Sequence, residues 1–230
     1  MALHDGHRER MKDRFIRDGL DNFEDYQVLE ILLFYCIPRV DTNEIAHRLI
    51  ERFGSLPNVL EASVDELQRV DGIGKHAAVF LSLINAACRY YQVKKVDYNI
   101  PLTSVDQYAQ VLLPLFAGRR NETIYLLCLD AKCKMICCKF LGEGSVNCAG
   151  VSIRKIAEQA LAVNATSVVL AHNHPSGVAV PSGEDVSTTL QAGKALKSVG
   201  VALLDHIVVA DEDYISLFLS GCYRYEDIEI

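Results

Sequence analysis

Along the first hundred positions the apolar residues recur at helical spacing, interrupted by polar punctuation. Residues 7–19 predict a charged helix that stops at Gly19, and residues 25–35 carry an apolar stripe of Val28, Leu29, Ile31, Leu32 and Leu33. Pro38 breaks the chain. Thr42 is placed to cap a helix over 43–53 that ends at Gly54, and residues 55–60 form a short piece. Ser63 and Glu66 have capping-box spacing for a helix through Val70. Gly72-Ile73-Gly74 predicts a tight turn before a long apolar helix over 75–91.

The pattern changes after Lys94 to Thr103, a stretch with Asp97, Asn99 and Pro101 that reads as a linker. Residues 104–116 are helical. Residues 123–129 and 135–141 are β-rich and separated by Asp130, Ala131 and Lys132, a hairpin signal. A helix over 152–163 is capped by Ser152 and carries Ile153, Ile156, Ala157, Ala160 and Leu161 on one face. Ser167-Val168-Val169-Leu170-Ala171 reads as a buried strand, and 182–199 as a helix ending at Gly200. Residues 201–204 and 207–210 predict one or two strands around Asp205 and His206, followed by a short apolar piece over 214–219. Helices alone, then strands mixed with helices, predict a small all-α domain over 1–97 followed by an α/β domain over 102–230. The sequence has no internal repeat and no low-complexity segment.

Composition narrows the class. Of the 230 residues 50% are hydrophobic, which argues against disorder. No apolar run reaches the roughly 18 residues of a membrane span, so no membrane partner is expected. The polar N-terminal residues lack the apolar core of a secretory signal, and a cytoplasmic location is the expectation. There the eight cysteines, none in C-x-x-C spacing, are expected to be free and mostly buried. The net charge is −7, with 13 basic against 16 acidic residues in 1–100 and 10 against 14 in 101–230. Neither part is basic, which weighs against strong non-specific nucleic-acid binding.

The candidate chemistry is concentrated in His172, His174 and Asp185. In an extended chain, i and i+2 point to the same side, so both imidazoles leaving the predicted strand can reach one ion. Pro175 and Gly177 then turn the chain, and Asp185 follows Ser182 by three residues at a predicted helix start. Taken alone, Ser182-Gly183-Glu184-Asp185 is a helix cap that needs no metal. The two roles are compatible: Ser182 caps while Asp185 projects towards the histidines. Two histidines and one carboxylate leave a fourth position for water, the pattern of a catalytic zinc site.

His172-x-His174-Pro175 followed by Ser182-x-x-Asp185 resembles the JAMM motif of the JAB/MPN metalloprotease fold. The run Ala171-His172-Asn173-His174-Pro175-Ser176-Gly177, with Pro181 and Ser182 after it, resembles the RadC family more specifically, a family historically labelled as DNA repair proteins. The resemblance covers nearly the whole chain, since RadC proteins place a helix-hairpin-helix-like region before the JAB domain. It implies a JAB/MPN-type mixed sheet flanked by helices. It implies one zinc ion per chain, held by His172, His174 and Asp185. It also implies a glutamate at an upstream strand edge as general base, best matched by Glu122 with Glu143 as the fallback, and Ser182 steadying the oxyanion. Without the family, Glu122 is an ordinary residue of a charged loop. His206 reads either as a residue fixing a ligand's tautomer or, by preference, as a satisfied strand-end histidine. Asn173 reads as structural. The family often has an Arg-Glu pair near the start of the helix preceding the metal strand; this chain has Arg154 and Lys155.

The stretch from Leu67 to Ala78 resembles a helix-hairpin-helix. Gly72 and Gly74 would allow close approach, backbone N–H groups would meet a DNA phosphate, and Lys75 would add charge. A turn that only packs is the alternative, and the acidic surroundings tilt towards it. Three functions follow as expectations. The first is a zinc-dependent hydrolase of amide bonds in a peptide or protein substrate. The second is a DNA-associated binding protein linked to repair. The third is a zinc-bound scaffold, which the intact ligand set disfavours.

Overall fold

The computed structural model describes residues 6–38, 40–95, 100–144 and 152–228. By its internal contacts the chain divides into two compact units, Met1–Cys88 and Arg89–Ile230. Among the described residues the first holds helices alone: α1 (His7–Asp18), α2 (Asp25–Phe34), α3 (Asn43–Phe53), α4 (Leu56–Glu61), α5 (Val64–Leu67) and the start of α6 (Lys75–Lys95). Leu29, Leu33, Leu49, Leu67 and Leu81 are fully buried at its centre. Each such side chain contributes about 1.5–3 kcal/mol by leaving water.

Local details depart from the expectations. Thr42 stands before α3, but its hydroxyl donates to the Glu30 carbonyl; the first free N–H, of Asn43, goes to the Asp41 carboxylate instead. The Ser63–Glu66 capping box forms, yet α5 stops at Leu67, because Val70 and Ile73 tighten into successive turns bonded three residues back. The stretch read as a linker is helical at its start, since α6 runs on to Lys95. At its end Pro101 pairs with Lys134, and buried Leu102 donates its N–H to the Cys133 carbonyl. Residues 96–99 lie outside the described residues.

The second unit holds α7 (Val105–Phe116), β1 (Glu122–Leu129), β2 (Met135–Gly144), α8 (Ile153–Ala162), β3 (Ser167–Asn173), α9 (Gly183–Ser198), β4 (Ala202–Ala210) and β5 (Asp213–Ser216). Among the described residues five strands form one mixed sheet in the order β2-β1-β3-β4-β5, with only the β3–β4 pair parallel. All seven residues of β3 are buried, as befits a central strand covered on both faces. Ile124, Leu126, Val168, Leu170 and Val208 pack against α8 and α9 on one face. Tyr125, Leu127, Val169, Ala171 and Ile207 pack against α7 on the other.

The region around Asp205 and His206 is one strand with a bulge. Val168 pairs with Leu203 and Val169 with Asp205, so Leu204 is an extra residue and the alternation of β4 is reset there. His206 then pairs with Leu170 and lies on the α8/α9 face, where an unbroken count from Leu203 would put it on the α7 face.

Seven of the eight cysteines are described, and all seven are free thiols. Only Cys36 and Cys128 are fully buried, fewer than expected. Cys128 pairs across the sheet with Cys137, while Cys138 lies against the α7-side core. Cys148 lies outside the described residues.

Candidate metal centre

Topology brings three chain segments to one end of the sheet. The connection from β3 to parallel β4 runs through α9, so the N-terminus of α9 lies beside the C-terminal end of β3. Strand β1 is antiparallel to β3, so its first residues arrive at the same end. Glu122 from β1, His172 and His174 from β3 and the turn after it, and Asp185 from α9 each point a ligand atom inward, and these atoms lie within 4.8 Å of one another.

His172, His174 and Asp185 are held from behind. His172 is fully buried, with Nε2 2.9 Å from His174 Nε2 and 3.2 Å from Asp185 Oδ1. His174 is partly exposed; its Nδ1 lies 3.2 Å from the Val178 carbonyl, which can only accept, so Nδ1 carries the proton and Nε2 a lone pair. Asp185 is 2% exposed. Its Oδ2 accepts from Ser182 N (2.6 Å) and Ser182 Oγ (2.7 Å), while Ser182 Oγ accepts from Asp185 N (3.1 Å). The capping box thus forms and leaves Oδ1 facing the histidines. The hydroxyl hydrogen of Ser182, expected to meet an oxyanion, is directed at Asp185 in this structure.

Glu122 and Glu143 are separated by strand alternation. Glu122 shares the parity of Ile124, the direct partner of His172, and joins the metal-ligand group. Glu143 pairs with Thr123 and therefore takes the opposite side, where it meets Asn121 Nδ2 (2.8 Å) and Arg119 (3.5 Å). Asn173, between the two histidines, is structural in a definite way. Its side chain accepts from the Thr123 N–H (2.8 Å) and donates to the Asn121 carbonyl (3.2 Å), imitating a ladder partner on either side of Glu122.

Behind His172 stands a buried pair. His206 Nε2 is 2.8 Å from His172 Nδ1, and His206 Nδ1 is 2.6 Å from Thr189 Oγ1. Burial holds the His206 ring well below the ordinary histidine range, hence neutral. Thr189 was not foreseen; the available signal was its position one turn after Asp185 on the same helix face.

The donor set fits a divalent cation. Two imidazoles and a carboxylate are the ligand types of zinc and its neighbours. Here the ligand atoms of four side chains, two of them buried, lie within 4.8 Å of one another, His172 Nε2 being 2.9 Å from His174 Nε2.

The other predicted site lies in the helical unit. Gly74, Lys75 and His76 are exposed at the start of α6, after Gly72 at φ +91°. A Cβ on Gly72 would come within 2.8 Å of Ile45, whereas one on Gly74 would meet nothing. The departure at Arg154 and Lys155 is absorbed locally: Arg154 pairs with Glu158, and Lys155 donates to the Leu141 carbonyl.

Comparison with known proteins agrees with this architecture. Residues 102–222 match the RadC-like JAB domain, a relative of the JAMM metalloproteases, and residues 6–79 match the UPF0758 N-terminal family. A UPF0758 protein of Fusobacterium nucleatum subsp. nucleatum is 34% identical over 223 residues, covering 94% of this chain and 96% of that protein. A UPF0758 protein of Ruegeria pomeroyi is 31% identical over 215 residues, with 94% and 96% covered. The chain belongs to the UPF0758 family of proteins carrying a RadC-like JAB domain.

Proposed function

We propose that this protein is a zinc-dependent hydrolase of amide bonds, of the JAMM type, acting on a peptide or protein substrate. The observation that carries the reading is the meeting of Glu122, His172, His174 and Asp185 at one end of the sheet. His172 Nε2, His174 Nε2 and an Asp185 carboxylate oxygen would hold the ion. When bound, zinc would polarise the substrate carbonyl and lower the pKa of an attacking water towards ~7. Glu122 would take a proton from that water as its oxygen bonds to the carbonyl carbon. It would then pass the proton to the amide nitrogen as the carbon–nitrogen bond breaks, giving an acid and an amine. Ser182 would turn its hydroxyl from Asp185 to the developing oxyanion.

Two measurements test this. Protein purified without chelator should hold one zinc per chain, and the His172→Ala, His174→Ala double variant should hold almost none; equal zinc in both would remove the assignment. Glu122→Gln should keep its zinc and lose hydrolysis. Cellular peptide termini should then differ between cells carrying the unmodified chain and cells carrying this variant. Identical termini would remove the peptidase reading while leaving the metal site.

A further inference from the structure

We infer that Thr189 and His206 are positioning residues that fix the tautomer of His172, so that its Nε2 lone pair, and not an N–H, faces the metal site. The inference rests on the metal reading proposed above and extends it to two residues that touch neither the ion nor the substrate.

The proton of the Thr189 hydroxyl has one place to go. Thr189 Oγ1 lies 2.6 Å from the Asp185 backbone carbonyl and 2.6 Å from His206 Nδ1. The carbonyl has no proton and the hydroxyl has one. Two oxygens that close need a hydrogen between them, so Thr189 donates to the carbonyl and its lone pair receives the Nδ1–H of His206. The His206 ring is buried (1% exposed), and its two nitrogens face Thr189 and His172, neither of them an anion. The Asp205 carboxylate next to it accepts from the His206 backbone N–H and from Ser216, not from the ring. The ring therefore carries one proton, on Nδ1, and Nε2 accepts. His172 Nδ1, 2.8 Å away, must then be the donor. In the neutral His172 ring that leaves Nε2 unprotonated, directed at His174 Nε2 and Asp185 Oδ1.

The fold supplies each step. The bulge at Leu204 turns His206 to the α9 face, and Asp205 anchors the bulge by binding the Phe218 N–H and Ser216 hydroxyl. Thr189 sits one helical turn after Asp185, so the helix that delivers the carboxylate also delivers the residue that orients the imidazole. Histidine ligands are commonly oriented through their second nitrogen by a carboxylate or a carbonyl; here a second, neutral imidazole does it.

The test uses the full chain stripped of metal by a chelator, with imidazole nitrogens read by long-range proton–nitrogen NMR. The unmodified chain should have His172 with its proton on Nδ1. Thr189→Val is nearly isosteric and removes the acceptor for His206 Nδ1–H. His206 should then move its proton to Nε2 and donate to His172, which should move its own to Nε2. His206→Leu should leave His172 in a mixture of tautomers. His206→Gln, whose side-chain carbonyl can accept from His172 Nδ1–H, should restore the original tautomer. Zinc affinity, measured by competition with a chelating dye, should fall about 10- to 100-fold in Thr189→Val and His206→Leu. It should stay within a few-fold of the unmodified chain in His206→Gln. A His172 proton on Nε2 in the unmodified chain, or an unchanged tautomer in Thr189→Val, would overturn the inference. If the unmodified chain takes up no zinc, the metal reading falls and the purpose assigned to the relay falls with it. The two failures are told apart because the tautomers are read without metal.

Discussion

At the end of β3, two imidazoles and a carboxylate face one another inside the α/β unit; at the turn before α6, in the helical unit, glycine backbone and a lysine face solvent. Both stretches read as ligand sites from their residue types, yet their surroundings differ. In the α/β unit the ligand atoms converge, and Asp185, His174 and His172 are each held by a further group: Ser182, Val178 and His206. In the helical unit two of the nearby guanidinium groups are engaged at home. Arg48 binds the Asp71 carbonyl and the carboxylates of Asp71 and Glu44, and Arg52 binds the Arg69 carbonyl. Gly72 has a packing reason of its own, its positive φ and the close approach of Ile45. The lesson is that residue types nominate a site, while ligand atoms from distant segments brought within 4.8 Å of one another argue for an ion.

The largest effect should come from the metal itself. Zinc at about 1,000 times its dissociation constant should stabilise the stripped chain by about 4 kcal/mol, since it binds only the folded state. In hydrogen exchange the gain in protection should fall on residues 167–173 and 202–210 and spare residues 68–76; equal gains in both would erase the contrast between the two regions. Next, Gly72→Ala should cost about 2–4 kcal/mol in urea unfolding, from left-handed backbone strain and from crowding Ile45. A near-neutral result would mean the turn is not held by packing. Asn173→Ala should cost about 1–3 kcal/mol, because the buried Thr123 N–H loses its acceptor. In the same variant zinc content should persist while hydrolysis drops, since Glu122 loses its clamp and the ligands do not. Gly74→Ala, which meets nothing, should stay within about 0.5 kcal/mol of the unmodified chain.

Much of this was legible. The apolar run before His172, the i, i+2 spacing of the histidines and the Ser182-x-x-Asp185 signature are local facts, and each element formed where its own residues asked for it. Other features were not legible, for physical reasons. Glu122 and Glu143 are both glutamates near strand ends, and nothing local ranks them; pairing register puts only Glu122 on the side of His172. His206 looked like an ordinary strand-end residue because alternation is counted from a regular strand, and the bulge at Leu204 breaks that count. Thr189 looked like any polar residue in a helix, since its partner comes from a strand begun thirteen positions later. Thr42 had a cap's identity, but the Glu30 carbonyl, supplied by another helix, competed for its hydroxyl.

By itself the chain's order of residues determined the two-part organisation of helices before strands, the helix starts capped by Ser63, Ser104, Ser152 and Ser182, and the residue types of the candidate metal ligands. These depend on neighbours a few positions apart, where backbone geometry leaves few choices. Tertiary structure alone decided which glutamate joins the histidines, which way the His206 ring turns and which proton it carries. Those outcomes depend on strand register and on contacts between segments distant in the chain, where a shift of one residue reverses the face a side chain occupies.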